Sequence, residues 1–277
     1  MILYYCPGEG FGHLIRAKAV LHTFGILSHN VIIVSQNTFI DRIFEHTAYQ
    51  HEIIPDSVFG HAGLLAQWLE QLMNKYHVKT LFADTFITGI RQEFYHLTKT
   101  VDVVYFARIL KAEFLPEFLP GKINIQHIYI LESLPTYQLK YLHDLGVSTS
   151  KLKIEWPQAV TDKMVLANSP YAVAVHSGPL NELLQLIEYT TEILVMKKIV
   201  APILVISPHR LDMESGLIYL NTLYAESYFS NSLFIVTACG FNSMMQASPY
   251  AHKHYYIPFA RKFDDQYVRA QLYRENC

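Results

Sequence analysis

The chain opens on an apolar, β-prone run, Ile2-Leu3-Tyr4-Tyr5-Cys6, which stops at Pro7 and passes through glycine at alternate positions, Gly8, Gly10 and Gly12. His13 follows at once, and Leu14, Ala17, Leu21 and Phe24 then fall on one face of a helix. A strand that turns through glycines into a helix constrains the fold strongly. Glycine permits positive φ and close backbone approach at the turn, and successive strand–helix units pack as a parallel sheet with helices on its faces. The bare N–H groups at such a helix start carry about half a positive charge, which suits an anion. His13 adds a group that moves a proton near neutral pH.

The same alternation continues. Residues 31–35 form a β-branched run, and Asn37 and Thr38 are placed to cap a helix whose inner face is Phe39, Ile40, Ile43 and Phe44. Leu64, Leu65, Trp68, Leu69 and Leu72 predict a second amphipathic helix. Residues 80–84 read as a strand ending in an acid, residues 90–99 as a helix, and 101–107 and 123–131 as strands. Over 148–162 the periodicity lapses, so the boundary is placed there, giving domains of residues 1–155 and 156–277. Strands at 171–175, 203–206, 233–237 and 254–257 then alternate with helices at 180–194 and from about Asp264, while 217–220 is ambiguous. The expected fold class is α/β: two doubly wound Rossmann-like domains facing across a cleft.

Bulk properties narrow the function. A chain of 277 residues accommodates two α/β domains of roughly 130–150 residues each. With 51% hydrophobic and 17% charged residues it is not generally disordered. A net charge of −2 provides no electrostatic footprint for nucleic acid. Cys6, Cys239 and Cys277 lack any CxxC pairing, which suits a reducing compartment. The opening apolar run reads as a first strand rather than a signal peptide. Other apolar runs are shorter than the ~20 residues of a membrane span. The expectation is a cytoplasmic protein with at most a peripheral membrane contact. No His, Cys and carboxylate cluster has metal-ligand spacing, and the adjacent Asp264-Asp265 is not an Asp-x-Asp pattern, so neither metal nor cofactor is expected.

The glycine spacing excludes two common phosphate sites. Gly-x-Gly-x-Gly is not the dinucleotide fingerprint, and the acid expected ~20 residues on is replaced by Val34-Ser35-Gln36. A Gly-Lys-Ser/Thr sequence is also missing here, which excludes a P-loop. The second half holds a matching set of turns: His176-Ser177-Gly178, then Gly240-Phe241-Asn242-Ser243, each between a predicted strand and helix. Ile257-Pro258-Phe259 and Asp264-Asp265-Gln266-Tyr267-Val268-Arg269-Ala270 follow.

In these segments the chain resembles a GT-B-type glycosyltransferase of the MurG-like class, over nearly its whole length. The Gly-rich loop with His13 is similar to that class's N-terminal loop. Gly240-Phe241-Asn242-Ser243 with Gln246, Pro258 and Asp265-Gln266…Arg269-Ala270 is similar to its nucleotide-sugar signature. The resemblance implies a hexosyltransferase-type enzyme moving a sugar from a nucleotide-diphosphate donor, such as a UDP-sugar, to a hydroxyl on a sugar, lipid-linked or small-molecule acceptor. It implies inversion without a metal. His13 would be the general base and Asp84 its orienting carboxylate, with Gly10 and Gly12 facing the acceptor. Ser177, Gly178, Gly240, Asn242 and Ser243 would hold the diphosphate, and Asp265 and Gln266 the sugar hydroxyls. The family usually has a ribose-binding glutamate where this chain has Gln246, and an amide forfeits the charge-assisted bond. Glu9 is a rival base, Asp264 and Asp265 also suit a helix start, and Arg16, Arg108 and Arg261 are rival phosphate ligands with solvated or capping roles as the commoner alternative. A nucleotide-sugar epimerase on the same fold and a non-catalytic sugar-nucleotide-binding protein are the other readings.

Overall fold

The computed structural model describes residues 1–8, 10–45, 47–117, 123–157, 170–210 and 216–275. Glu9, Cys277 and part of the expected boundary segment lie outside the described residues. The chain divides into two compact units, Met1–Trp156 and Pro157–Cys277.

In the first unit β1 (Ile2–Tyr5), α1 (Phe11–Thr23), β2 (Val31–Ser35), α2 (Ile40–Ile43) and β3 (Gln50–Ile53) are followed by α3 (Asp56–Phe59), α4 (Ala62–Lys75) and β4 (Thr80–Asp84). Then come β5 (Asp102–Ala107), β6 (Asn124–Ile130), α5 (Thr136–Asp144) and β7 (Thr149–Lys151). The sheet order is β3-β2-β1-β4-β5-β6-β7, and every pair is parallel. The order reverses at β1, so β1 and β4 are neighbours whose following segments leave in opposite directions. That is the switch point where open α/β sheets bind ligands.

The second unit repeats the plan with β8 (Ala172–Val175), α6 (Leu180–Met196), β9 (Ile203–Ile206), β10 (Leu217–Leu220), β11 (Ile235–Ala238), α7 (Phe241–Ala247), β12 (His254–Ile257) and α8 (Gln266–Glu275). Its order is β10-β9-β8-β11-β12, again all parallel, with the reversal between β8 and β11. The two-sheet α/β class read from the sequence is the one observed.

Strands buried on both faces read as continuous apolar runs, and β2 is buried at every residue. Leu14, Ala17 and Leu21 of α1 are fully buried; each leucine contributes about 1.5–3 kcal/mol by leaving water. In the second unit, Leu183, Leu186, Ile187, Ile193 and Leu194 of α6 pack on β8, β9 and β11.

Several expectations are corrected. Phe39 is 45% exposed rather than inward-facing, because α2 closes after one turn and Phe39 precedes it. Leu64 is likewise 45% exposed on α4, whose buried face runs through Leu65, Ala66, Leu69 and Leu72. Only Glu93–His96 of the expected 90–99 helix is helical, as a short 3₁₀ turn. Gly89 at φ +84° and Gln92 at φ +61° break any longer helix. The lapse at 148–162 hides β7, which joins the first sheet beside β6. β11 begins two residues later than expected, and the ambiguous 217–220 is an edge strand.

Candidate active site

The carboxyl ends of β1 and β4 bring together residues far apart in sequence. His13 lies in the first turn of α1 and Asp84 is the last residue of β4. His13 Nδ1 stands 2.6 Å from Asp84 Oδ2. Asp84 is 1% exposed, and an ionised carboxylate there requires a partner. Arg16, itself 2% exposed, provides it: Nε donates to Oδ1 at 2.6 Å and Nη2 to Oδ2 at 2.5 Å. Burial opposes the charge on Asp84, but Arg16 and His13 outweigh it and hold the carboxyl well below the usual carboxylate range. For His13 burial prevails and lowers its pKa, although the Asp84 hydrogen bond and charge act the other way; Arg16 and Arg108 add to the lowering. The imidazole is therefore neutral at pH 7.

Thr85, next after Asp84, carries φ +73°, an unusual conformation for a β-branched residue. Its surroundings over-determine it. Its N–H donates to the Phe106 carbonyl at 3.2 Å, its carbonyl accepts from the Tyr105 hydroxyl at 2.8 Å, and its Oγ1 accepts from Arg16 Nη2 at 3.0 Å and Arg108 Nε at 2.8 Å. Strain held this way at a strand end is typical of functional sites.

The glycine loop meets His13 from the other side. Gly8 has φ +140°, and a Cβ there would stand 2.9 Å from His13 Cδ2 and 3.0 Å from Nε2. Glycine at 8 is thus required twice, by conformation and by the ring. Gly10 caps α1 with an ordinary φ of −84°, and a Cβ there would meet no atom within 4 Å. Gly12 is half-buried within α1. Beneath the loop, buried Glu93 accepts from the Tyr5 hydroxyl and from the Arg91 N–H at 2.8 Å, so the segment after β4 is tied to the end of β1.

In the second unit the switch point lies between the ends of β8 and β11. Ser177 is exposed and Gly178 half-buried at the start of α6. A Cβ on Gly178 would stand 2.7 Å from His176 Nε2 and 3.4 Å from Arg261 Nη2. Glu182, in the first turn of α6, receives both arms of Arg261, with Nη1 at 2.6 Å. His176 Nε2 also approaches Glu182 Oε2 to 2.9 Å, an ion-pair distance but off the line a hydrogen bond needs. Burial lowers the His176 pKa to about 4, with Glu182 raising and Arg261 lowering it, so His176 is neutral at pH 7.

Gly240 caps α7, on which Asn242, Ser243 and Gln246 are half-buried. Gln246 Nε2 donates to Glu226 Oε2 at 3.2 Å. Gln266 is buried: Oε1 accepts the Phe259 N–H at 3.0 Å, and Nε2 lies 4.0 Å from where a Gly240 Cβ would be. Asp265 Oδ1 accepts the Val268 N–H at 3.0 Å, which caps α8. Asp264 is gripped by Arg269, whose Nη1 also donates to the Cys239 carbonyl at 2.9 Å. Thus the 264–269 segment first of all fastens α8 to the end of β11.

The structure brings His13 and Asp84 together, and Gly178 next to His176 and Arg261. Arg16 is neither solvated nor capping, and Thr85 and Glu182 take part in the two sites although no motif marks them. The three-residue spacing of His13 and Arg16 on one helix face was the available signal. Among the described residues no group of three or more His, Cys, Asp or Glu side chains gathers as a metal ion requires. No helix among them is long and apolar enough to cross a membrane.

No family model matches the sequence, and no curated protein sequence matches it. Solved structures do match the fold. The spinosyn forosaminyltransferase SpnP has a TM-score of 0.65 at 10% identity, covering 99% of this chain and 83% of that one. The Streptomyces sp. SF2575 glycosyltransferase SsfS6, complexed with thymidine diphosphate, has a TM-score of 0.63 at 9% identity, covering 99% and 85%. A UDP-N-acetylglucosamine 2-epimerase from Rickettsia bellii has 0.58 at 13% identity, covering 96% and 80%. At such identities the likeness is one of fold, and the fold of this chain is the two-sheet GT-B class of those enzymes.

Proposed function

We propose that this protein is a glycosyltransferase that moves a sugar from a nucleotide-diphosphate donor to an acceptor hydroxyl. The observation that carries the reading is the His13–Asp84 pair at the switch point of the first sheet. Its geometry suits general-base work: one imidazole nitrogen is engaged by a buried carboxylate, and the ring is neutral at pH 7. In the proposed step Nε2 takes the acceptor hydroxyl proton as that oxygen bonds to the anomeric carbon and the diphosphate leaves with the electrons of the broken C–O bond. A single displacement inverts the anomeric centre. Gly10 and Gly12 lie on the acceptor side of the base.

The donor belongs to the second unit. Ser177, Gly178, Gly240, Asn242 and Ser243 offer backbone and hydroxyl donors for the diphosphate at strand ends where such sheets bind ligands, and no metal is invoked. The second oxygen of Asp265 and Nε2 of Gln266 are offered to sugar hydroxyls, and Gln246 lies toward the ribose. SsfS6 was solved with thymidine diphosphate, which supports a nucleotide donor. A cytoplasmic setting is part of the proposal.

The test is a thermal-shift screen against UDP-, GDP-, ADP- and dTDP-sugars, followed by mass spectrometry with hydroxyl acceptors. Ligands that favour the folded state raise the melting point. The absence of a shift with all four would overturn the donor assignment. The epimerase among the structural neighbours supports a second reading. Incubation with the donor alone separates the two, because only an epimerase forms an isomer without an acceptor.

A further inference from the structure

We infer that Arg16 is a positioning residue that fixes the tautomer of His13 and sets its proton affinity. The consequence for rate rests on His13 being the base proposed above. The proton inventory does not.

Arg16 Nη2 has two hydrogens. One goes to Asp84 Oδ2 at 2.5 Å and the other to Thr85 Oγ1 at 3.0 Å. Nη2 also lies 3.1 Å from His13 Nδ1, but the shorter Asp84 contact claims that nitrogen. At 2.6 Å, Nδ1 and Oδ2 must have a hydrogen between them, and the carboxylate already accepts from Arg16 through both oxygens. The proton thus belongs to His13 Nδ1, and Nε2, on the ring edge beside Gly8, carries the lone pair.

Asp84 from β4, Arg16 from α1 and Arg108 beyond β5 act on His13, while Tyr4 of β1 and Cys6 just after it bear on the Arg16–Asp84 pair. In a lone His–Asp pair the imidazolium would complete a buried ion pair and keep its proton. Here Arg16 has already neutralised Asp84, so a proton on His13 would add net positive charge to a buried cluster. Arg16 therefore adds to burial in keeping the base unloaded at neutral pH, while its two-pronged grip holds the carboxylate plane that aims the ring. The strained Thr85 serves the same end, because its hydroxyl accepts from Arg16 Nη2 and helps hold the guanidinium against Asp84.

The test uses the full chain labelled with ¹⁵N-histidine, followed by two-bond ¹H–¹⁵N spectra from pH 4.5 to 9. Loss of one signal in His13→Gln assigns the residue. The wild type should show the Nδ1–H tautomer and a midpoint below the ordinary histidine value. Arg16→Met should raise that midpoint by about one unit or more, and Arg16→Lys, which restores the charge, should return it most of the way. A merely structural role would lower the melting temperature without moving the midpoint. If Arg16→Met does not fold, Arg16→Gln decides the same point, since it keeps a donor to Asp84 without the charge. An Nε2–H tautomer in the wild type would overturn the inference. So would an unmoved midpoint in a folded, charge-free variant. A protein without transferase activity would sink the proposed function, yet these spectra would still decide the arginine's role.

Discussion

His13 Nδ1 and Asp84 Oδ2 lie 2.6 Å apart although 71 positions separate them in sequence. His13→Ala should lower turnover by about two to four orders of magnitude, with the affinity for UDP unchanged by calorimetry. Asp84→Asn should also lose turnover and, because it strands the buried Arg16 cation, cost on the order of 3–5 kcal/mol of stability. Full turnover in His13→Ala would remove His13 from the chemistry.

Acid should destabilise the second unit through His254. Its Nε2 pairs with Thr237 Oγ1 at 2.9 Å, and that hydroxyl donates to the Ala238 carbonyl, so Nε2 carries the hydrogen. Nδ1 is buried with no acceptor beside it. Burial lowers the pKa to about 4, whereas the unfolded chain titrates near 6.5. Between those values the unfolded state binds more protons. The histidine's contribution is therefore complete above pH 6.5 and is lost as pH falls toward 4. Urea melts across this range should show a shallower acid slope for His254→Gln than for the wild type.

Gly89→Ala should destabilise the first unit by about 2 kcal/mol or more. A Cβ there would lie 2.2 Å from the Glu93 carboxyl carbon, and φ is +84°. Chemical denaturation measures the loss. In a Glu93→Ala background, itself weakened by loss of the Tyr5 and Arg91 hydrogen bonds, Gly89→Ala should cost less, leaving the part due to φ.

Gly178→Ala should weaken UDP binding by about tenfold or more and leave the secondary structure intact by circular dichroism. The new methyl would press on His176 Nε2 at 2.7 Å and on Arg261 beyond it, at the turn proposed for the diphosphate. Unchanged UDP affinity would move the diphosphate elsewhere.

Much of the scaffold was legible because buried parallel strands announce themselves as short apolar runs, as at Val31–Ser35 and Ile203–Ile206. Gln50–Ile53 and Thr149–Lys151 are half-exposed edge strands of mixed composition, and apolar runs could not reveal them. The 90–99 segment has helix-forming composition, but the buried Glu93 carboxyl draws the Arg91 N–H to itself and Gly89 turns the chain left-handed. His13 and Asp84 were legible as neighbours because each ends or follows a strand at the switch point. Arg16 was not: its partner comes from another strand, and the helix alone makes it one more polar residue.

The pairing of β1 with β4 sets an order of events during folding. The first unit cannot assemble its inner strands from near neighbours in sequence, since Tyr5 sits beside Ala83. Closing so long a loop is entropically costly and makes such topologies slow. Until it closes, Asp84 and Arg16 remain hydrated and apart. Their ion pair thus forms only with the correctly registered sheet. A one-residue slip of β4 along β1 would turn Asp84 to the opposite face of the sheet, away from Arg16, so this ion pair also proofreads the strand register.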